Sequence, residues 1–564
     1  MKRRTSTLPV RVYRYGLLAP TEGAAVVEDQ MWRAHRYKNA LVAHERARRS
    51  AFREICAQDT LVADLDASLA LLQHRIDEAR KRMKAASARA RKRVADPGGR
   101  ALVARLAAEA KALRAERRAA VKGLRSPVKE LVEAMQERAA VWAKAERAAS
   151  GLYWGTYLAV EKAADQMCKS KSDPKFRGAR PYSDQVGIDG LLAVQCQKGL
   201  AVAAIHGSDT RVRIAPMRPD AWSDRRMSTK RTVLKFRVGS VGREPLWAEF
   251  PILMHRPLPA DGRITWVHVQ RRRVGTRFRW ECLFTVEAAT LEKPSRLPSV
   301  TAAVDFGWRR TGDGLRIARA VTEDGDTEDL ILPLSVVMRQ RKPDDVRSIR
   351  DKHFDRMRPS LVAWLATHDH PDWLARDLAH LELWRSTARL TRVAYRWCDR
   401  RFDGDEEIFE AVDSWRRQDR HLYQWEQSSR SKAVGARRAH YRNVASQWAK
   451  RYPRIVITSK LDLSETAKRP EPGEIEDAEA AHVYRKEAAA GEFRAALVQA
   501  VRSSGGTVVI VDVPAQTCHA CGGICDWDPS TTDHHTCEHC GVSWQCDDNM
   551  CQKLHAALAS GEAA

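Results

Sequence analysis

The chain changes its hydrophobic rhythm several times. From Leu8 to Leu17 apolar and basic residues alternate with period two, the mark of a strand with one wet face, and the run meets Pro20 and Gly23. From about Asp29 to Ser150 the spacing lengthens. Leu61, Leu65, Leu69, Leu72 and Ile76 recur at steps of three and four among Arg, Lys, Glu and Ala, which predicts helix. Asp96-Pro97-Gly98-Gly99 interrupts the pattern, Leu102, Leu106 and Leu113 resume it, and Gly123 to Pro127 ends it, so two long helices are expected to fold back as an antiparallel pair. Between about Tyr182 and Ala289 short strands return, among them Thr232–Val238, Thr265–Val269 and Trp280–Val286, predicting a small barrel.

A third region opens with the apolar strand Val300-Thr301-Ala302-Ala303-Val304, which delivers Asp305 just before Phe306-Gly307. An Arg- and Trp-rich helical stretch from about Leu334 to Tyr452 follows. Arg454-Ile455-Val456-Ile457-Thr458-Ser459 then reads as a second buried strand, and after the helix from Glu492 to Val501 comes a third, Thr507–Val513. Strands alternating with helices make this region α/β, and the chain as a whole is predicted to be a multidomain α+β protein.

Charge narrows the choice of partner. Across 564 residues, 97 Lys and Arg face 72 Asp and Glu, a net +25, and such a surplus favours polyanions because phosphate neutralisation releases bound counterions. No run of ~18 apolar residues is present, and the basic N-terminus is not followed by the apolar stretch of a secretory signal. A cytoplasmic protein without a membrane partner is expected. Arg271, Arg272, Arg273 and Arg277 fall between two predicted strands, where a basic hairpin is a candidate phosphate-contacting surface.

Seven of the twelve cysteines lie between Cys518 and Cys551. Cys518-x-x-Cys521 and Cys537-x-x-Cys540 are separated by fifteen residues, and Gly522 and Gly541 supply the tight turns that each knuckle needs. Two such pairs place four thiolates around a structural Zn²⁺. Cys525, His534, His535 and His539 are also ligand types, and regular pairing leaves them as bystanders. His368-Asp369-His370-Pro371-Asp372 reads as an exposed loop beside a proline. The chain contains no Gly-Lys-Ser/Thr phosphate loop and no His-Glu-x-x-His, so ATP hydrolysis and zinc proteolysis find no support.

In chain order, Val304-Asp305-Phe306-Gly307, Tyr452-Pro453-Arg454-Ile455-Val456-Ile457, the paired cysteines and Asp547-Asp548-Asn549 resemble the split RuvC nuclease of type V CRISPR effectors and their transposon-borne TnpB relatives. Length and the long N-terminal helical region look most like the compact V-M subtype. The resemblance implies a wedge or barrel domain from residues 1–30 and 185–298 and a helical recognition lobe at 31–184. It also implies a RuvC/RNase H-like domain in three parts, 299–332, 453–515 and 544–564. A helical insertion at 333–452 and a zinc ribbon at 516–543, bearing on target nucleic acid, would complete the chain. Guide RNA and double-stranded target DNA are the implied partners of a monomeric, prokaryotic antiviral protein.

By that resemblance Asp305 and Asp547 are the first and third RuvC carboxylates, ligands for Mg²⁺. The second motif departs from the pattern. Aligning Leu461 with the family leucine puts Ser459 where a glutamate is expected, and Asp462, three positions on, is a weak substitute. Gln545 also stands where relatives often carry an acid. Two-metal hydrolysis needs carboxylates to hold both cations, so the expected action is binding that silences a target without efficient cleavage. Two alternatives stay open: an active guided endonuclease completed by another carboxylate, and a transposon-associated protein that binds DNA without a guide.

Overall fold

A computed structural model describes residues 9–89, 97–124, 129–168, 187–207, 209–289, 300–458, 483–514, 517–525 and 534–560. It is a mixed α/β structure built on two large sheets. Ser459 and Asp462 lie outside the described residues.

The first sheet joins the N-terminal strand β1 (Val10–Leu17) to strands from the middle of the chain: β2 (Gly190–Ala201), β3 (Val212–Ile214), β4 (Arg231–Val241), β5 (Glu244–Leu253), β6 (Arg263–Val274) and β7 (Arg277–Glu287). Their order is β2-β6-β7-β1-β5-β4-β3, with antiparallel pairing. The alternation seen in the sequence becomes burial: Tyr13, Tyr15 and Leu17 face inward with Leu192, Val212, Phe236, Phe250, Val267 and Phe284. All seven strands feed one core, which requires the sheet to curl. The small barrel predicted takes the form of a curled sheet in which, among the described residues, β2 and β3 are the edges of the hydrogen-bonded ladder. The short 3₁₀ turn Val202–His206, with Ile205 buried, connects them.

Between β1 and β2 come α1 (Ala24–Gln58), α2 (Thr60–Arg89), α3 (Pro97–Leu124), α4 (Lys129–Ser150) and α5 (Trp154–Cys168). The expected antiparallel pair is α2 with α3, where Leu72 and Ile76 meet Leu106 and Ala110, and the Asp66 carboxylate accepts from Arg117. Pro97 opens α3, a first-turn position where its missing N–H costs nothing. Helix starts at Ala24, earlier than predicted, and breaks at Asp59, where the carboxylate caps the next helix through the Val62 N–H at 2.9 Å.

The second sheet contains β8 (Thr301–Thr311), β9 (Gly314–Thr322), β10 (Thr327–Pro333), β11 (Arg454–Thr458) and β12 (Thr507–Val511) in the order β10-β9-β8-β11-β12. β10, β9 and β8 are antiparallel, whereas β8, β11 and β12 are parallel. The long excursion between β10 and β11 is helical: α6 (Leu334–Thr367), α7 (Asp372–Asp377), α8 (Thr387–Cys398) and α9 (Glu406–Arg451). On one face of the sheet, α9 and α10 (Ala490–Ser503) pack Tyr441, Trp448, Phe493 and Leu497 against Val304, Ile317 and Ile457. On the other, α11 (Cys546–Ala559) packs Cys551, Leu554 and Ala557 against Ala303, Val321 and Val456. A small hairpin, β13 (His534–Thr536) with β14 (Ser543–Gln545), leads into α11.

Candidate functional site

Asp305 sits on β8, the central strand of the second sheet. Its neighbours Val304 and Phe306 belong to the core under α9 and α10, while Ala303 belongs to the core under α11. Alternation therefore aims Asp305 at α11. That helix begins at Cys546, so Asp547 and Asp548 occupy its first turn, where the unpaired N–H groups and the helix dipole favour negative charge. Two chain segments more than two hundred residues apart thus bring Asp305 and Asp547 together. Burial, and then the charge of Asp547, push the Asp305 carboxyl up to about 8; the Phe306 N–H, donating at 2.9 Å, and the charges of Lys553 and Arg316 oppose the rise.

Cations from the sheet meet these acids. Arg316 lies 2.5 Å from Asp547 Oδ2 and is buried. Arg319, the register partner of Asp305, donates to Asp548 at 3.0 Å, to Gln545 at 2.9 Å and to Asp329 at 2.7 Å. Its hydrogen bonds to Asp329 and Asp548 hold it in the charged form. Residues 316 and 319 would face opposite sides of a regular strand. A bulge prevents this: against β10, Ala318 pairs with Leu330 but Arg316 with the very next residue, Ile331, so Ile317 is the extra residue, and Ile317 and Ala318 both enter the same core. The shift of parity carries both arginines to the acidic face.

Among the described residues, this donor set does not suit a pair of divalent cations. One carboxylate, Asp547, is ion-paired with Arg316, another, Asp548, is held by Arg319, and burial raises the carboxyl of Asp305.

The four cysteines are brought together, with their sulfurs all within 4.8 Å of one another. Cys518 and Cys540 are 3.7 Å apart, as are Cys521 and Cys537. Both knuckles repeat one geometry: Gly522 N–H donates to Cys518 O at 3.0 Å and Gly541 N–H to Cys537 O at 2.9 Å, with φ of 70° and 73° at the glycines. Backbone N–H groups of Ala520, Gly523 and His539 donate to sulfur at 3.3–3.4 Å, the support that thiolate ligands need. This set fits a tetrahedral metal such as Zn²⁺. Cys525 lies alongside, 3.7 Å from Cys537.

Asn549, whose role the sequence does not reveal, joins the two sites. It is buried; its Oδ1 accepts from the His519 N–H at 2.8 Å, and its Nδ2 donates to Thr517 O at 2.9 Å. Lys553, one turn on, donates to Pro514 O at 2.6 Å. The helix bearing Asp547 is thereby stitched to the first cysteine knuckle.

The basic hairpin is corrected by the structure. Arg271, Arg272 and Arg273 are strand residues of β6, and Arg277 begins β7 across a turn at Gly275-Thr276. Val267, Val269, Arg271 and Arg273 all fall on the buried side. Arg271 pairs with Glu28 and lies 4.2 Å from the Phe278 ring, while the Arg273 backbone N–H reaches Asp189 and its guanidinium the Tyr423 hydroxyl. These two hold β6 to its neighbours. Arg272 and Arg277 stay exposed. His368 and His370 are not buried, as a loop requires.

No family model matches the chain. A "CRISPR-associated DNA-binding protein Cas12m" of Allomeiothermus silvanus is 34% identical over 552 residues, 97% of this chain and 96% of the relative. One of the same name from Thermanaerosceptrum fracticalcis is 32% identical over 445 residues, 77% of this chain and 74% of that one. A solved chain from a Cas12f1–sgRNA–target DNA complex aligns over 97% of this chain at 11% identity with a TM-score of 0.32, too loose to bear on the fold. Among the described residues, no helix is long and apolar enough to cross a membrane. Similarity of this degree along nearly the whole chain makes it a member of the Cas12m family.

Proposed function

We propose that the chain is a CRISPR RNA-guided protein that binds double-stranded DNA carrying a short flanking motif and a guide-complementary sequence, and that it silences its target by occupancy without efficient cleavage. Base pairing supplies sequence recognition, and the protein reads the flanking motif and the shape and backbone of the hybrid. The name of the relatives, and similarity to one of them along nearly the whole chain, support DNA binding, and a net charge of +25 supports a polyanionic partner.

The order β10-β9-β8-β11-β12, with an acid on its central strand, supports an RNase H-type, RuvC-like core assembled from 299–332, 453–515 and 544–564. The four thiols support a zinc ribbon at 516–543, and the curled sheet supports a wedge formed by 1–30 and 185–298, with 31–184 as the helical recognition lobe. We read the protein as a cytoplasmic monomer. One observation carries the absence of cutting: Arg316 is seated on Asp547, where hydrolysis would need a metal-bound carboxylate.

The test is equilibrium binding of the guide-loaded protein to matched and unmatched duplexes. Tight binding confined to the matched duplex is expected. Equal affinity for both would overturn guided recognition and favour a DNA-binding protein that needs no guide.

A further inference from the structure

The helical excursion between β10 and β11 carries a charge pattern that neither the acidic site nor the ribbon uses. On α8, Leu390, Val393, Ala394 and Trp397 are buried, while Arg389, Arg392 and Arg396 stand exposed on the other side. Steps of three and four residues place them on one stripe, ~4.5–6 Å apart along the axis. Arg385 and Arg400 extend the same spacing beyond each end of the helix.

Beside this stripe lies a cavity of about 220 Å³ lined by Arg376, Arg389, Arg392 and Arg396, with Asp377 and Trp384. Asp377 pairs with Arg396 at 2.8 Å. Four guanidiniums therefore face one carboxylate. Trp384 is buried, its indole N–H donating to Ala379 O at 3.3 Å, and the Arg389 guanidinium lies 5.5 Å from its ring centroid.

Two features of this arrangement are unfavourable in isolation. Like charges converge on one cavity, and Arg389 sits in the first turn of α8, at the positive end of the helix dipole, where no acidic residue accompanies it. An anion in the cavity would relieve both. Guanidinium forks match tetrahedral oxyanions bidentately, and phosphate is the anion that a strand of nucleic acid presents repeatedly.

We propose that this cavity is a phosphate-binding site that grips the sugar–phosphate backbone of a bound nucleic-acid strand, either guide RNA or target DNA. The choice of nucleic acid rests on the function proposed above; the anion site rests on the arginines alone. Arg392 at the middle of the stripe is the central contact, flanked by Arg389 and Arg396, and the contact reads charge without reading sequence.

The experiment compares the full-length wild type with Arg392→Ala and with Arg389→Ala/Arg392→Ala at several salt concentrations in three arms: guide RNA, an unrelated RNA of equal length, and matched duplex DNA presented to guide-loaded protein. Removing one arginine–phosphate pair should flatten the plot of log affinity against log salt by about 0.7–0.9, with a several-fold loss of affinity at low salt. A change in the RNA arms assigns the cavity to RNA; a change confined to the duplex assigns it to the target. Arg392→Lys, which keeps the charge, should retain most of the slope. Arg243→Ala, at the turn between β4 and β5, sets the background for losing any surface arginine. Wild-type slopes in all three arms would overturn the proposal even if guided binding is intact. Flattened slopes on the RNAs without any guided DNA binding would uphold the cavity while removing the function proposed above.

Discussion

Arg271 and Arg272 are adjacent in the sequence and opposite in role, because β6 turns successive side chains to opposite faces. Their residue type points to phosphate contact, yet the alternation that decides which of them can make it runs on through β6 beyond the apolar stretch that announces the strand. Arg271→Ala should lose the Glu28 pair and the packing on Phe278, lowering stability by about 1–3 kcal/mol in a denaturant melt. Arg272→Ala should leave the melt within roughly 0.5 kcal/mol of wild type and weaken nucleic-acid binding instead. Three positions before Arg271 on β6, His268 stacks on Trp266, and burial, aided by Lys162, pulls its pKa down to about 4. Between there and the ordinary value of about 6.5, the unfolded chain binds a proton that the folded chain does not. Stability from this residue is therefore complete above about pH 6.5 and lost as pH falls toward 4, by up to ~3 kcal/mol. Urea unfolding at pH 7.5 and 4.5 should show a smaller difference for His268→Gln than for wild type; an equal difference would remove His268 as a cause.

Elements whose signal is local were legible in the sequence, and those that depend on pairing were not. The knuckles follow from Cys-x-x-Cys-Gly, because two thiolates three residues apart followed at once by a left-handed glycine suffice to define them. The bulge in β9 is invisible there, since Leu315-Arg316-Ile317-Ala318-Arg319 reads as an ordinary apolar strand until its partner β10 fixes where the parity breaks. Asn549 likewise carries no signal in the sequence, whereas its amide binds the backbone of His519 and Thr517 beside the first cysteine knuckle. Asn549→Ala should leave one zinc per chain but release it faster to a chromogenic chelator, because the His519 N–H and Thr517 carbonyl lose their partners at a cost of about 1–3 kcal/mol. Cys540→Ser should fail to hold zinc at all, three ligands being too few to close a structural tetrahedron. Unchanged release from Asn549→Ala would mean that ribbon and helix are not coupled through this side chain.

At the scale of the whole molecule, the order of motifs along the chain points to the family before any contact is known, since Asp305, the paired cysteines and Asp547 come in a sequence that few arrangements share. What the order does not supply is the cationic half of the acidic site. Arg316, Arg319, Asp547 and Asp548 meet because β9 lies beside β8 and α11 crosses that face, a relation that exists only once the sheet has formed. On the function proposed above, the consequence is a protein whose net charge of +25 favours phosphates while two of the acids beside Asp305, Asp547 and Asp548, are paired with its own arginines. The most direct measurement loads the wild-type protein with guide, adds Mg²⁺ or Mn²⁺ and end-labelled matched or unmatched duplex, and divides each reaction between a native and a denaturing gel. The matched duplex alone should shift on the native gel, with both strands full-length on the denaturing gel, and Asp305→Ala should behave as wild type. Guide-dependent cleavage of the matched duplex that disappears in Asp305→Ala would contradict the account.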